Sequence, residues 1–246
     1  MKINSRAIEK IIRSAANHVG IDVKRYKDAS SESACVVKML HQHKIDLVID
    51  IGANRGQYAQ LLRRYGYQGR IISFEPLQDA WDYLQKISSN DSKWEIFPRC
   101  AIGASNSFTT INVSGNSVSS SILDMLDQHA KAAPESVYVR EEAIQVITLD
   151  EALEKISVAT EKMFIKIDTQ GYEEKVLDGA RVSASLATGI QIELSLIPLY
   201  SGQALFQELT ERLIQDEFEI WSIFPGFTDG INGRMLQCDA VLFKTE

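Results

Sequence analysis

Residues 47–58 read LVIDIGANRGQY. The first five are short, β-branched and apolar apart from Asp50, which suits a strand buried on both faces of a parallel sheet. Gly52 and Gly56 then supply a turn. Tyr58, Leu61, Leu62 and Tyr65 recur at the spacing of an amphipathic helix, which Gly66 is placed to stop. Strand, glycine turn and helix together open a βαβ unit, and the alternation continues outward. RIISF at 70–74 predicts a strand, 77–87 a helix, and 94–97 with 100–102 another strand. Between 105 and 143 the pattern weakens around Ser114, Gly115, Asn116, Ser117, Ser119, Ser120 and Ser121, which predicts a loop-rich insertion. It resumes with a helix at 150–156, a strand at 163–168, a helix from Glu173 to Gly179, a strand at 189–194 and a helix at 204–216. The last strands, 219–224 and 240–244, are joined by a stretch too short and turn-prone for a crossover helix, so they should pair antiparallel. The expected class is α/β, with one main domain at 46–246 and a helical extension at 1–45 that packs on it.

A chain of 246 residues with 45% apolar and 24% charged side chains can bury a core without staples. Acidic residues outnumber basic ones 33 to 26, a formal charge of −7, and no long Lys/Arg run is present; nucleic acid is not an expected partner. Cys35, Cys100 and Cys238 form no CxxC pair, which fits a reducing, cytoplasmic setting. Lys2, Arg6, Lys10 and Arg13 are interleaved with Ile3, Ile8, Ile11, Ile12, Ala15 and Ala16 at helical spacing. That is an amphipathic helix rather than a secretory signal, with a membrane-surface helix as the alternative. No stretch approaches the roughly 18 apolar residues of a membrane span.

The chemistry concentrates where the first strand meets its helix. Gly52 and Gly56 let backbone approach a ligand closely, and Glu75 closes the next strand, where a carboxylate can accept two hydrogen bonds from a ribose diol. A dinucleotide site calls for G-x-G-x-x-G. Here the spacing is G-x-x-x-G, Ala59 stands in the third glycine's place, and Asp50 would repel a pyrophosphate, all of which disfavour an NAD-dependent dehydrogenase. A carboxylate there suits a cationic ligand, and S-adenosylmethionine carries an ammonium and a sulfonium.

These residues resemble the FkbM family of S-adenosylmethionine-dependent methyltransferases. The resemblance is carried by VIDIGANRGQYA at 48–59, FEP at 74–76, AIG at 101–103, SSSIL at 119–123, VITLDEAL at 146–153, FIKIDTQGYEEKVLDGA at 164–180 and IQIELS at 190–195. It implies the class I methyltransferase fold, a Rossmann-like seven-stranded, mostly parallel sheet ending in an antiparallel hairpin. It also implies S-adenosylmethionine as cofactor. Carried over by position, the segment holding Asp50, Gly52, Asn54, Gly56 and Tyr58 would face the methionine moiety, with Asp168 beside it. Glu75 would hold the ribose and Ala101 would lie against adenine. Many relatives have glutamate where this chain has Gln170, a variant that hints at a carbohydrate acceptor. The implied reaction is O-methylation of a hydroxyl on a sugar, a glycan or a natural product. Gln170 also keeps open a catalytically idle fold that binds the nucleoside for regulation or assembly.

Asp168, Glu173 and Glu193 fall at or just past the ends of adjacent strands, where ligands of open α/β sheets collect. Two jobs are open to them: Asp168 and Glu193 holding a divalent cation, or one carboxylate acting as a base with its pKa raised by its neighbours. Glu173 equally suits the first turn of a helix, and Lys166 can pair with Asp168. His129, after the insertion, is a candidate base, whereas His18, His41 and His43 read as structural or surface residues. Ser119 and Ser120, with Gln170 and Glu173, are candidate substrate contacts. The expected partner is a small molecule or glycan, and the oligomeric state is not legible.

Overall fold

The computed structural model describes residues 5–21, 23, 31–156, 158 and 162–245. The chain runs through α1 (Ser5–His18), α2 (Glu32–Gln42), β1 (Leu47–Ile51), α3 (Gln57–Arg64), β2 (Arg70–Phe74), α4 (Gln78–Ser88), β3 (Trp94–Ile96) and β4 (Ala101–Ile102). It continues with β5 (Ser107–Ser114), α5 (Asp127–Ala132), β6 (Tyr138–Ile147), α6 (Leu149–Glu154), β7 (Met163–Ile167), α7 (Glu173–Asp178), α8 (Arg181–Leu186) and β8 (Gly189–Ser195). α9 (Phe206–Gln215), β9 (Phe218–Pro225) and β10 (Gln237–Lys244) complete it.

Seven strands form one sheet in the order β3-β2-β1-β7-β8-β10-β9. Those from β3 to β8 are parallel, and β10 runs antiparallel to both of its neighbours. This is the seven-stranded, mostly parallel α/β sheet with a terminal hairpin that the sequence predicts. Strand alternation divides its apolar residues between two faces. Leu47, Ile49 and Ile51 join Ile165, Ile167, Ile190 and Ile192 under α6 to α9. Val48, Ile71, Phe164 and Phe243 join Val36, Val37 and Leu40 of α2 and Leu62 of α3 on the other side. Two apolar faces covered by helices make a three-layer sandwich, so the strand ends are what remains open to a ligand.

Three expectations need correcting. Residues 94–102 do not make one strand: β3 ends the main sheet, while β4 pairs with β6 in a separate sheet of order β4-β6-β5. The 105–143 insertion is therefore not mainly loop, because β5 and β6 form a long antiparallel pair. Exposed charged residues such as Glu141 alternate with buried Ile144 and Val146 there, and the serine cluster is confined to the connection. α8 was not expected; its Val182 and Leu186 are exposed and weaken the amphipathic signal.

The described residues of the 1–45 segment fall into two parts. α2 buries Val36, Val37 and Leu40 in the core, whereas Ile11 and Ile12 of α1 stay exposed, as do Val19 and Ile21 beyond it. His43 is not a free surface residue: its ring stacks on Phe243 at 3.7 Å and meets Trp221 edge-on. Among the described residues no helix is long and apolar enough to cross a membrane.

Candidate active site

The C-terminal ends of β1, β2 and β7 open on a cavity of about 330 Å³, which Gln191 of β8 flanks. Gly52 forms its floor with φ at +77°, and a Cβ at this position would collide with the carbonyl oxygen of Asp168. Gly56 serves a different purpose. It is buried away from the cavity, and a Cβ on it would come within 2.7 Å of Trp94 and 2.9 Å of Leu84, so it lets α3 approach β3 and α4 rather than facing a ligand.

Glu75 lies at the cavity wall with its two oxygens separately fixed. Oε2 accepts from the Asn54 backbone N–H at 2.7 Å and Oε1 from that of Leu77 at 2.8 Å. Each oxygen keeps a lone pair for a further donor. Burial pushes its carboxyl up to about 7 despite those two amides. Asn54, at φ +46°, reaches across the mouth toward Ser117. Beyond Glu75 the wall is apolar: Leu77, Cys100, Ala101, Ile102, Ile111 and Ile122. A slot with an apolar wall and a clamped carboxylate beside it fits a nucleoside, base inward and ribose diol on the acid.

On the other side of Gly52 the cavity becomes polar. Lys166, from the middle of β7, donates to the Gly52 carbonyl at 3.3 Å and lies 3.4 Å from Asp50 and 3.3 Å from Asp168. Burial alone would lower its ammonium, but Asp168 and Asp50 override this and hold it above the ordinary lysine value. Asp50 is fully buried beneath the cavity, paired with Lys166 and accepting from Ser73, so it does not present its charge directly to a ligand.

Gln170, at φ +55°, is the hub of the next layer. Its Nε2 donates to Asp168 at 2.9 Å and to Glu193 at 2.7 Å, while its Oε1 accepts from the Tyr200 hydroxyl. The two acids expected to share a cation are thus bridged by an amide N–H₂, which fills the space between them with a donor. Among the described residues no group of three or more metal-ligating side chains is assembled. Glu193 also accepts from Gln237 and does not line the cavity. Burial, then the charges of Asp168 and Glu173, push its carboxyl well above the usual range.

Of the residues singled out from sequence, Gly52, Asn54, Tyr58, Glu75, Ala101, Ser120, Asp168 and Gln170 line the cavity. Six do not: Asp50 and Gly56, placed above, and Glu173, Ser119, His129 and Glu193. Glu173 turns back to accept from Thr169 and Gly171, pinning the loop. Ser119 is buried and held by Asn116. His129 lies away from the cavity among Tyr200 and Phe227, where burial lowers its pKa. Glu193 lies behind Gln170, accepting from it and from Gln237 without lining the cavity. Lining residues that the sequence did not single out include Glu32, Ser117, Tyr172, Gln191 and Asp239. Gln191 and Asp239 did carry a signal, each being a polar residue flanked by apolar ones within a strand.

The buried acids imply a pH dependence. Glu75 and Glu173 are raised from 4.5 to about 7, and Asp239 from 3.8 to about 7, chiefly by burial. In that interval the folded state holds protons that the unfolded chain has released, so these groups stabilise below the unfolded values and lose that contribution as pH rises toward 7. The ligand-free protein should melt at a higher temperature near pH 5 than near pH 7.5 in thermal scans. A Tm rising across that interval would contradict the burial of these carboxylates.

A family model described as Methyltransferase FkbM domain matches residues 50–220. No curated protein matches the chain. Among solved structures, the chain is similar to a 1,6-didemethyltoxoflavin-N1-methyltransferase of Burkholderia thailandensis, at 15% identity and TM-score 0.43 over 100% of this chain and 92% of that one. It is also similar to an rRNA methylase of Streptococcus thermophilus (11%, TM-score 0.46, covering 91% and 100%). A third is a TehB-like SAM-dependent methyltransferase of Corynebacterium glutamicum (11%, TM-score 0.41, covering 98% and 100%). Likenesses this remote decide nothing about the acceptor.

Proposed function

The chain belongs to the FkbM methyltransferase family, and on that premise we propose that it methylates a hydroxyl of a sugar, glycan or similar polyol with Asp168 as the proton acceptor. Its fold is the class I methyltransferase fold and its cofactor is S-adenosylmethionine. One arrangement carries the proposal: the clamped Glu75 carboxylate and the apolar wall lie in one cavity with Asp168, on opposite sides of Gly52.

Bound along this wall, the cofactor supplies an electrophilic methyl on its sulfonium. Glu75 would accept from the ribose hydroxyls, and Leu77, Ala101, Ile102 and Ile111 would pack on the base. Asp168 stands at the mouth about one-third exposed, with Lys166 against one oxygen and Gln170 donating to the other. Both partners fix its orientation, so it can accept the acceptor hydroxyl's proton without first reorganising. The rim around it, including Asn54, Ser117, Ser120, Thr169, Gln170 and Tyr172, offers neutral amide and hydroxyl groups suited to a polyol. A nucleic-acid acceptor is disfavoured because, among the described residues, Lys166 is the one cation lining the cavity and two carboxylates already engage it.

The direct test is transfer of labelled methyl from S-adenosylmethionine to a panel of monosaccharides, oligosaccharides and polyols, with RNA as control. Labelling of RNA alone would overturn the acceptor class. On whichever sugar is methylated, Asp168→Asn should lower kcat by about 10²–10⁴-fold, the usual size of proton-transfer catalysis, with the affinity for S-adenosylhomocysteine nearly unchanged. Equal loss of both would make Asp168 a cofactor ligand instead.

A further inference from the structure

Two acids in the cavity come from outside the segment that the family model covers. Glu32 is the first residue of α2 and Asp239 sits on β10, whereas the model spans residues 50–220. They meet at Gln191. The Tyr58 hydroxyl donates to Gln191 Oε1 at 2.8 Å, which fixes the amide's orientation and turns its N–H₂ toward the acids. From there it donates to Glu32 Oε1 at 3.2 Å, and the same amide favours the ionised form of the neighbouring Asp239. Asp50 and Asp168 already flank Lys166, and neither Glu32 nor Asp239 forms an ion pair among the described residues. Burial raises both carboxyls, Asp239 to about 7, with each other's charge or that of Asp168 adding to it. The recess therefore has oriented acceptors and an excess of negative charge, and it is open to the cavity.

Its position relative to the nucleoside end matters. Glu75 and the apolar wall lie on the β2 side of Gly52, and Gln191 and Asp239 lie on the β8 and β10 side. S-adenosylmethionine is built in the order base, ribose, sulfonium, aminoacyl tail. With its ribose on Glu75, the tail would run past Gly52 toward the recess and end on an α-carbon bearing an ammonium and a carboxylate; only the ammonium suits the acids, so the carboxylate would have to face away from them. We propose that Glu32 and Asp239, aligned by Tyr58 and Gln191, hold the α-ammonium of the cofactor's aminoacyl tail. This rests on the cofactor reading above, and it makes α2 a part of the binding site as well as a cover for the sheet.

Binding by the full chain tests it without any acceptor. Three ligands are titrated by calorimetry: S-adenosylhomocysteine, its analogue lacking the amino group, and 5′-methylthioadenosine, which has no aminoacyl tail. Glu32→Gln and Asp239→Asn should each weaken S-adenosylhomocysteine by about tenfold or more, as expected for losing a hydrogen bond between charged groups. Both variants should leave the deamino analogue and 5′-methylthioadenosine within about twofold of the parent. Unchanged affinity for S-adenosylhomocysteine overturns the assignment, and so does an equal loss for all three ligands, which would mark a structural role. If the parent protein binds none of the three, the cofactor reading itself fails, a result distinct from either.

Discussion

Glu75→Ala is expected to abolish measurable binding of S-adenosylhomocysteine while leaving the protein folded. The ionised carboxylate would accept from two ribose hydroxyls, and hydrogen bonds to a charged group contribute about 1.5–3 kcal/mol each. Losing both corresponds to roughly 10²–10⁴ in Kd. Two opposing changes act on stability. The Asn54 and Leu77 amides lose their acceptor, at about 1–3 kcal/mol for each buried donor left unpaired. Against that, a carboxyl that burial pushes up to about 7 is removed from an unfavourable place, and the open cavity admits water to the two amides. Calorimetry paired with a circular-dichroism melt separates the effects. Near-normal affinity would dismiss Glu75 as the ribose acceptor, and a Tm drop with affinity intact would reduce it to a turn-forming residue. Glu75→Gln is not a rescue, since it sets an N–H₂ group against one of the two backbone amides.

The second large effect belongs to Gly52→Ala. An alanine at φ +77° costs roughly 1–2 kcal/mol on its own. The greater cost comes from what its Cβ meets, a main-chain carbonyl of Asp168 that cannot rotate away. Relief requires moving the end of β7 from β1, where the Asp168 N–H donates to Ile51 at 3.1 Å. A total loss of about 3–5 kcal/mol is expected, which for a chain of this size lowers Tm by roughly 6–20 °C, together with loss of cofactor binding. Gly202→Ala is the control: φ is +71° there, and nothing lies within 4 Å of the added carbon. If Gly52→Ala proves no worse than Gly202→Ala, the close approach of the two strand ends has no energetic weight.

The main sheet was legible because its strands are nearly uniform runs of β-branched and apolar residues set off by glycine, as in 47–51 and 163–167. The place of Gly52 and Glu75 on the cavity was legible for the same reason, since strand ends put them there without help from distant contacts. The second sheet was hidden because β6 exposes one face and carries Arg140, Glu141 and Glu142, so charge masked its alternation. His129 looked available because a histidine after a polar insertion reads as exposed, yet α5 turns it inward against Tyr200. Glu173 looked like a ligand and proved to be the pin of its own loop. Glu32 carried no local signal. Its place depends on α2 docking beside a strand 159 positions later in the chain, a separation that neither periodicity nor motif can bridge.

Lys166 also constrains how this protein can diverge. Its one ammonium answers two carboxylates, so losing it strands Asp50 in the interior, and losing Asp50 strands the ammonium. Either single change breaks a buried pair, at about 3–5 kcal/mol, comparable to much of the margin by which an ordinary domain stays folded. Descendants can cross that barrier only by exchanging both partners close together in time, so the three positions should be inherited as a block while the rim above them drifts toward new acceptors.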